Sequence, residues 1–307
     1  MILSNINTMF RGDPTRTLTL RKRYETALSK RFRQLKSDIW TSVFTNDCFA
    51  LNQPVINTPL ASRQFAFERD PEKLVSFLAW LQKQVDNNIL EVYYGNQLGS
   101  SIEEAWMNTY IRTSYEKGIG RSHQEMIAAG YTIPATVNVV SAMQMPLHID
   151  RVGLLYTRNF TGLKGITDEM SKQIAEILAE GMATGEGPLE LARRINNRVD
   201  KIGLTRAKTL AQTEMVRSHH QSMMQEFKNW GVAGVTVLAE WITAGDSRVC
   251  PLCKKKANRD NGFGSGVYTI DQVMGLIPLH PRCRCIAIPL DITDNKILLD
   301  KLKAQEN

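Results

Sequence analysis

Two short clusters near the end of the sequence hold four of its five cysteines. The first cluster is CPLC at 250–253, and the second is LHPRCRC at 279–285, which also carries a histidine. Two cysteines separated by two residues can both reach one metal ion, because the turn between them leaves their sulfurs a few ångströms apart. Zinc takes four thiolate or imidazole ligands at the corners of a tetrahedron. The two clusters therefore predict one structural zinc site that fastens two distant segments.

Five donors compete for the four places of this site: Cys250, Cys253, His280, Cys283 and Cys285. We expect Cys250 and Cys253 to bind, whichever two of the other three donors complete the site. Cys283 and Cys285 would face the same side of an extended strand, because successive side chains in a strand alternate. His280 is then either the donor left out or a ligand beside one of these two cysteines. The sequence leaves this choice open.

The clustered cysteines have two alternatives to binding zinc. They are either reduced and metal-free, or they form a redox pair or disulfide. The N-terminus lacks the basic, apolar and small-residue order of a signal peptide, so we expect a soluble protein of a reducing compartment, where clustered cysteines are more often metal ligands. A catalytic zinc needs an open position and a nearby acid or base, and no H-E-x-x-H motif is present. We expect a structural ion.

Most of the remaining sequence has helical periodicity. Helices are predicted at 14–46, 71–91, 101–129 with a break at Gly118 and Gly120, 167–181 with Thr167 as N-cap and Gly181 as stop, 188–199, and 205–230. Irregular structure or a short strand is predicted at 130–150. Alternation predicts a strand at 235–243, and CIAIPL at 285–290 predicts a closing strand.

These elements predict an α+β fold that is mostly helical, with long N-terminal helices and a small zinc-stapled α+β module near the C-terminus. We predict a helical N-terminal region at 1–150 and a second domain at 151–290. That domain has a helical part, 151–232, and a zinc-binding α+β part, 233–290, and a tail follows at 291–307. With 43% hydrophobic residues, the chain can bury a sizeable core.

Positive charge is concentrated at the start of the chain. The net charge is +7, and the first forty residues hold nine basic and three acidic side chains. The helix predicted there carries an apolar stripe made of Leu20, Tyr24, Leu28, Leu35 and Ile39. Its basic face is either simply solvated or a contact for DNA or an acidic protein surface. An apolar stripe of this kind could also carry a protein interface.

One uncharged stretch, 127–149, has the length of a membrane span. It contains Pro134, Pro146, Asn138 and His148, which do not suit a bilayer core. We therefore expect no membrane contact.

The second half of the chain resembles a known family. The segments TRNFTGLKGITDEM at 157–170, LTRAKTLAQTEMVRSHHQ at 204–221, EWITAGDSRVCPLC at 240–253 and IPLHPRCRC at 277–285 are similar, in this order, to the phage Mu F-like head morphogenesis proteins. These are minor capsid or portal-associated head proteins. The resemblance covers roughly residues 150 to 290. Thr213, Glu214 and Arg217 match the family's helical motif, whereas Gln212 stands where the family usually has arginine.

The resemblance implies a virion component of the phage head, in the portal region or capsid interior, that is made in the host cytoplasm. It implies contact with the portal protein and other head proteins, a role in head assembly, DNA packaging or delivery, and no settled enzymatic activity. The positive charge, and not the resemblance, leads us to expect double-stranded DNA as a further partner, bound without sequence preference. Relatives often carry histidine at the position of Cys253, which supports Cys253 as a ligand. Asp246 matches a family aspartate whose simplest role is to cap the following turn.

Two other classes remain as alternatives. A zinc-containing nuclease would need a histidine on a hairpin beside the metal, but the adjacent pair His219 and His220 falls within a predicted helix, where His219 lies on the apolar stripe. A plain DNA-binding protein would need a recognition motif, and no helix-turn-helix or basic-zipper pattern accompanies the basic helix. We therefore expect a structural protein and not an enzyme.

Overall fold

The computed structural model describes residues 13–51, 71–91, 105–128, 130–232, 237–292 and 295–306. Within these ranges helices dominate, and a three-stranded antiparallel sheet lies near the C-terminal end. The predicted mostly helical α+β class is therefore confirmed. No described helix combines the length and apolar character that a bilayer-spanning segment needs.

Ten α-helices and three strands are present in the described ranges. The helices are α1 Leu18–Trp40, α2 Pro71–Val85, α3 Asn108–Ala128, α4 Val139–Met143, α5 Pro146–Thr184, α6 Pro188–Arg198, α7 Thr205–Val232, α8 Pro251–Ala257, α9 Ile270–Met274 and α10 Lys296–Glu306. Wider π-helical segments follow α1, α2 and α6 at Thr41–Thr45, Asp86–Leu90 and Val199–Leu204. The strands are β1 Val237–Ile242, β2 Val267–Tyr268 and β3 Ile286–Asp291.

Contacts group the chain into two compact units. The helical unit consists of Tyr24–Trp106 and Arg158–Leu210, and the mixed unit consists of Met1–Arg23, Met107–Thr157 and Ala211–Asn307. The mixed unit contains the sheet and both cysteine clusters. The domain boundaries predicted from the sequence stay predictions.

The apolar stripe of α1 is part of the protein's own interior. All five of its residues are buried: Leu20, Tyr24, Leu28, Leu35 and Ile39. The expectation that this stripe could carry a protein interface is therefore wrong, because its apolar area is already removed from water. Two cations of the helix are also engaged, since Lys36 Nζ lies 2.5 Å from Asp200 Oδ2 and Arg31 pairs with Glu91.

Helix α3 is continuous through Gly118 and Gly120, so the predicted break is wrong. A β-carbon at Gly118 would lie 1.8 Å from Ser222 Oγ and 2.3 Å from the His219 carbonyl oxygen on α7. Glycine therefore marks the closest approach of two packed helices and not a helix end. Hydroxyls strengthen the same contact, because Ser114 donates to the Met215 carbonyl at 2.7 Å.

Helix α5 runs through Thr167, so the predicted N-cap there is wrong. The Thr167 hydroxyl donates to the Lys164 carbonyl at 2.8 Å, which is the hydrogen bond of a threonine inside a helix and not of a cap. The predicted stop at Gly181 is also wrong, because α5 continues to Thr184 and is followed by Gly185, whose φ is +72°. That left-handed conformation ends the helix.

The segment predicted to be irregular, 130–150, contains α4 and the start of α5. The side chain of Asn138 accepts hydrogen bonds from the backbone of Val140 and Ser141 and so caps α4. Pro146 occupies the first position of α5, where its missing N–H has no cost. The prediction therefore missed a capped helical turn and a proline-initiated helix.

Helix α7 buries the face that the sequence predicts. Ala211, Met215, His219, Met223 and Phe227 are all buried. Together with the sheet, this face forms the core of the mixed unit, in which Met223 and Phe227 pack in one cluster with Trp241 and Ile286.

The sheet has the strand order β2-β1-β3. Trp241 in β1 pairs with Ala287 in β3, and Ala239 pairs with Tyr268 in β2. The predicted closing strand is confirmed as β3. The strand predicted at 235–243 is confirmed as β1, although its first two residues lie outside the described ranges.

Candidate metal centre

The start of α8 brings the first two cysteines together. Cys250 is the N-cap residue, with φ −71° and ψ 158°, and Pro251 follows at the first helical position. The Cys250 sulfur accepts a hydrogen bond from the Cys253 backbone N–H at 3.3 Å. The capping geometry that begins this helix therefore also fixes the direction of two metal-binding sulfurs.

The segment before β3 supplies the other three predicted donors. His280 Nε2 lies 3.2 Å from the sulfurs of both Cys250 and Cys253. The Cys283 sulfur lies 3.8 Å from that of Cys253, and Cys285 belongs to the same close group. We call these five residues the Cys/His clasp. They form two groups of three that share Cys253, with ligand atoms within 4.8 Å of one another in each group.

The ring of His280 is oriented for metal binding. Its Nδ1 lies 2.8 Å from the Pro281 carbonyl oxygen. Because a carbonyl can only accept, the proton sits on Nδ1, and Nε2 directs a lone pair at the two sulfurs. A metal-bound histidine has this arrangement, with the second ring nitrogen held by a backbone acceptor.

The donor set fits zinc. With zinc–sulfur distances of about 2.3 Å, two sulfurs on one tetrahedral ion lie about 3.8 Å apart. The sulfurs of Cys253 and Cys283 have this spacing. Thiolate and imidazole donors select zinc over harder divalent cations, which prefer oxygen ligands.

Charge at the clasp also suits a cation. Hydrogen bonds from Cys253 and Cys285 lower the pKa of Cys283, and the same contact raises the pKa of Cys253. Three crowded sulfurs thus share protons, because adjacent negative charges repel. A divalent ion would supply the positive charge that allows all of them to be thiolates.

A salt bridge joins the two chain segments that carry the clasp residues. Arg284 donates two hydrogen bonds of 2.7 Å to the carboxylate of Asp246. The same carboxylate accepts from the Arg248 backbone N–H at 3.0 Å, which confirms the predicted capping role of Asp246. The paired Arg284 guanidinium holds the pKa of Asp246 well below its ordinary value. Sequence reasoning missed Arg284, although its place between Cys283 and Cys285 directs it away from the sulfurs.

The clasp is also joined to α7. The Arg282 backbone N–H donates to the Thr213 hydroxyl oxygen at 3.1 Å. One residue further, buried Glu214 pairs with Arg217 in the same helix. Within the Thr-Glu-x-x-Arg motif, Thr213 therefore contacts the clasp segment. Glu214 pairs with Arg217 of the same helix, although Gln212 stands where the family usually has arginine.

A second buried polar cluster was not predicted from the sequence. Glu226 of α7 accepts hydrogen bonds of 2.7 Å from both His123 of α3 and His148 of α5. The Tyr115 hydroxyl lies 2.8 Å from His148 Nδ1. Burial alone would raise the pKa of Glu226, but the hydrogen bonds and charges of the two histidines lower it to about 2. These residues are distant in sequence, and no spacing pattern relates them.

The adjacent histidines of α7 lie in the interior. His220 Nε2 donates to the Val273 carbonyl oxygen at 3.0 Å. Burial lowers the pKa of His219 to about 3 and that of His220 to about 4, so both rings are neutral near pH 7. The packed position predicted for His219 is confirmed.

The fold and the site together define a mostly helical protein with a small C-terminal sheet and a Cys/His clasp. Residues 172–288 match the family described as Phage Mu protein F like protein. The resemblance to the Mu F-like head morphogenesis proteins that the sequence predicts is thereby confirmed over these residues.

A curated relative is the minor head protein GP7 of Bacillus phage SPP1. It is 25% identical to this chain over 200 residues, which cover 62% of this chain and 60% of the relative. The match thus spans less than two thirds of the relative's length. No solved structure matches the chain significantly.

Proposed function

We propose that the chain is a minor head protein of a bacteriophage and acts in head morphogenesis. One observation carries this proposal: the family match at 172–288 begins within α5, ends within β3 and includes all five clasp residues. The match therefore contains the whole of α7, β1 and β2 together with the clasp. The name of the SPP1 relative supports the same role. The test is whether the chain is built into heads purified from infected cells.

The clasp, in this proposal, holds one structural zinc ion through Cys250, Cys253, His280 and Cys283. The 3.2 and 3.8 Å contacts among their ligand atoms support this set. Cys285 packs beside the site. The ion would tie the start of α8 to the segment before β3, and a structural role needs no open coordination position. We propose no enzymatic activity.

We further propose that the chain contacts the portal and other head proteins within the virion. Portal proximity is consistent with a family of portal-associated proteins, and assembly would take place in the host cytoplasm. DNA is the partner that the charge of α1 favours. Lys22, Arg23, Lys30 and Arg33 are exposed, and at 100° per residue they fall within an arc of about 100°. Packaged DNA passing such a face would meet a row of cations.

Replacing Lys22, Arg23, Lys30 and Arg33 with glutamine should weaken binding to duplex DNA at low salt by at least about tenfold. If each of the four cations displaces a counterion, the slope of log affinity against log salt should fall by about 3 to 4. Fluorescence anisotropy with a labelled duplex across a salt series measures both quantities. Deleting residues 1–45 is not a suitable test, because it would remove the buried stripe of α1.

The control variant replaces four exposed cations elsewhere with glutamine: Lys172, Arg193, Lys201 and Arg206. It has the same net charge as the α1 variant. An equal loss of affinity and slope in both variants would show that total charge, and not the α1 face, determines DNA binding.

A further inference from the structure

A cavity of about 350 Å³ opens within the mixed unit, between the start of the described chain, α3 and α7. Its lining includes Thr15, Arg16, Lys117, Arg121, Gln124 and His219. The cavity is distinct from the Cys/His clasp, with which it shares no residue. Its volume lies at the lower end of the range of small-molecule sites, about 300–1,000 Å³.

Two buried side chains present unpartnered nitrogens at this cavity. Arg121 is 7% exposed, and its Nη1 has no hydrogen-bond partner. His219 is 2% exposed, and its Nδ1 also has none. Buried polar atoms are nearly always hydrogen-bonded, so the unpaired N–H of Arg121 indicates a ligand that accepts hydrogen bonds, and neutral His219 adds a donor in the tautomer that carries its proton on Nδ1.

The charges around the cavity are mostly positive. Arg16, Lys117 and Arg121 line it, and two carboxylates contact the lining: Glu125 accepts the Nε–H of Arg121, and Asp13 accepts the hydroxyl of Thr15. Burial and the neighbouring Arg121 lower the pKa of Arg16. Crowding of like charges in a partly enclosed space is relieved by a bound anion.

We propose that this cavity binds a small phosphate-bearing anion. A planar guanidinium, an ammonium group and neutral hydrogen-bond donors are the groups with which proteins recognise phosphate. The cavity residues named above include no Phe, Tyr or Trp ring on which a nucleobase could stack, and the ring of His219 is almost fully buried, so we take the phosphate group as the recognised part. Inorganic phosphate and a small phosphorylated metabolite share this chemistry, and a bound phosphate would join α3 to α7 beside Gly118.

The first test is calorimetric titration of the whole protein with inorganic phosphate, against sodium chloride at equal ionic strength. We expect saturable binding of one phosphate per chain and a melting temperature that rises with phosphate concentration, because a ligand of the folded state stabilises it. Lys117→Gln should weaken phosphate binding about three- to tenfold, since one charged hydrogen-bond donor is removed. Both Lys117 and Arg16 are exposed, so Arg16→Gln is a second variant that should leave folding intact.

Lys301→Gln is the matched control, since it removes one exposed lysine charge from the same unit outside the cavity. The proposal predicts wild-type affinity for this variant. Glucose 6-phosphate shares only its phosphate group with inorganic phosphate. Tighter binding of glucose 6-phosphate would indicate a metabolite site, and tighter binding of inorganic phosphate would indicate a site for the free ion. Either result supports the proposal. Phosphate that acts no differently from chloride would overturn it, as would equal losses in the Lys117 and Lys301 variants. Binding of duplex DNA at this cavity without any binding of phosphate would also overturn it.

Discussion

The substitution Cys253→Ser is expected to abolish zinc binding and to unfold the segment from β1 to β3. Cys253 is the donor shared by both groups of the clasp, so its loss leaves neither group of three complete and removes one of the four proposed ligands. Structural zinc contributes apparent binding free energies of about 10–16 kcal/mol in small domains. The strands β1 and β3 have six residues each, and we expect the small sheet to depend on that contribution. Elemental analysis and amide hydrogen exchange over 237–292 measure the two effects.

Two serine variants separate the clasp from general effects of cysteine loss. Cys48→Ser changes the cysteine outside both clusters and should keep one zinc per chain and full protection of β1 and β3. Cys285→Ser should also keep its zinc if Cys283 is the fourth ligand. Zinc-free wild-type protein with all clasp thiols reactive would contradict the metal proposal. Unchanged protection in Cys253→Ser would show that the sheet does not need the ion.

The substitution Glu226→Ala is expected to lower the free energy of unfolding by about 3–5 kcal/mol, because it leaves two buried histidines without their shared acceptor. Glu226 is 4% exposed and His148 is fully buried, so water cannot replace the lost hydrogen bonds easily. Glu190→Ala is the matched control, since that carboxylate is exposed and its loss should change stability by less than about 0.5 kcal/mol. Urea unfolding of the three proteins gives the difference. A loss below about 1 kcal/mol at Glu226 would show that the cluster is not a tie between helices.

The same cluster should add to the acid sensitivity of the wild-type protein. The pKa of Glu226 is lowered from 4.5 to about 2 in the folded state. A carboxyl group with a depressed pKa contributes stability that is complete above its unfolded value and lost as the pH falls through its folded value. Between about pH 4.5 and pH 2, the stability of Glu226→Gln should therefore fall less steeply than that of the wild type.

Sequence patterns predicted the parts of this fold that depend on local chemistry. The clustered donors come together because the start of α8 places two of them and the segment before β3 places the other three by local geometry. The buried face of α7 follows from its spacing of apolar residues. The strands β1 and β3 follow from alternation and from the β-branched residues within them.

Sequence patterns did not predict features that depend on contacts between distant segments. Glycine ordinarily weakens a helix, yet Gly118 is required by the approach of Ser222 from another helix. Thr167 has the residue type of a cap, but the apolar residues on both sides of it are buried and continue the helix. Glu226 joins histidines of two other helices, and Arg284 pairs with Asp246. No periodicity in the sequence relates these residues.

The central claim, that this chain is a structural component of a phage head, is tested most directly by the protein composition of purified particles. Particles of the phage that encodes the chain would be banded by density, washed at high salt and quantified by mass spectrometry against the major capsid and portal proteins. We expect the chain to remain with the particles at a fixed ratio to the portal and to form cross-links with other head proteins. A chain that is abundant in infected cells but absent from washed particles and from assembling heads would contradict the account.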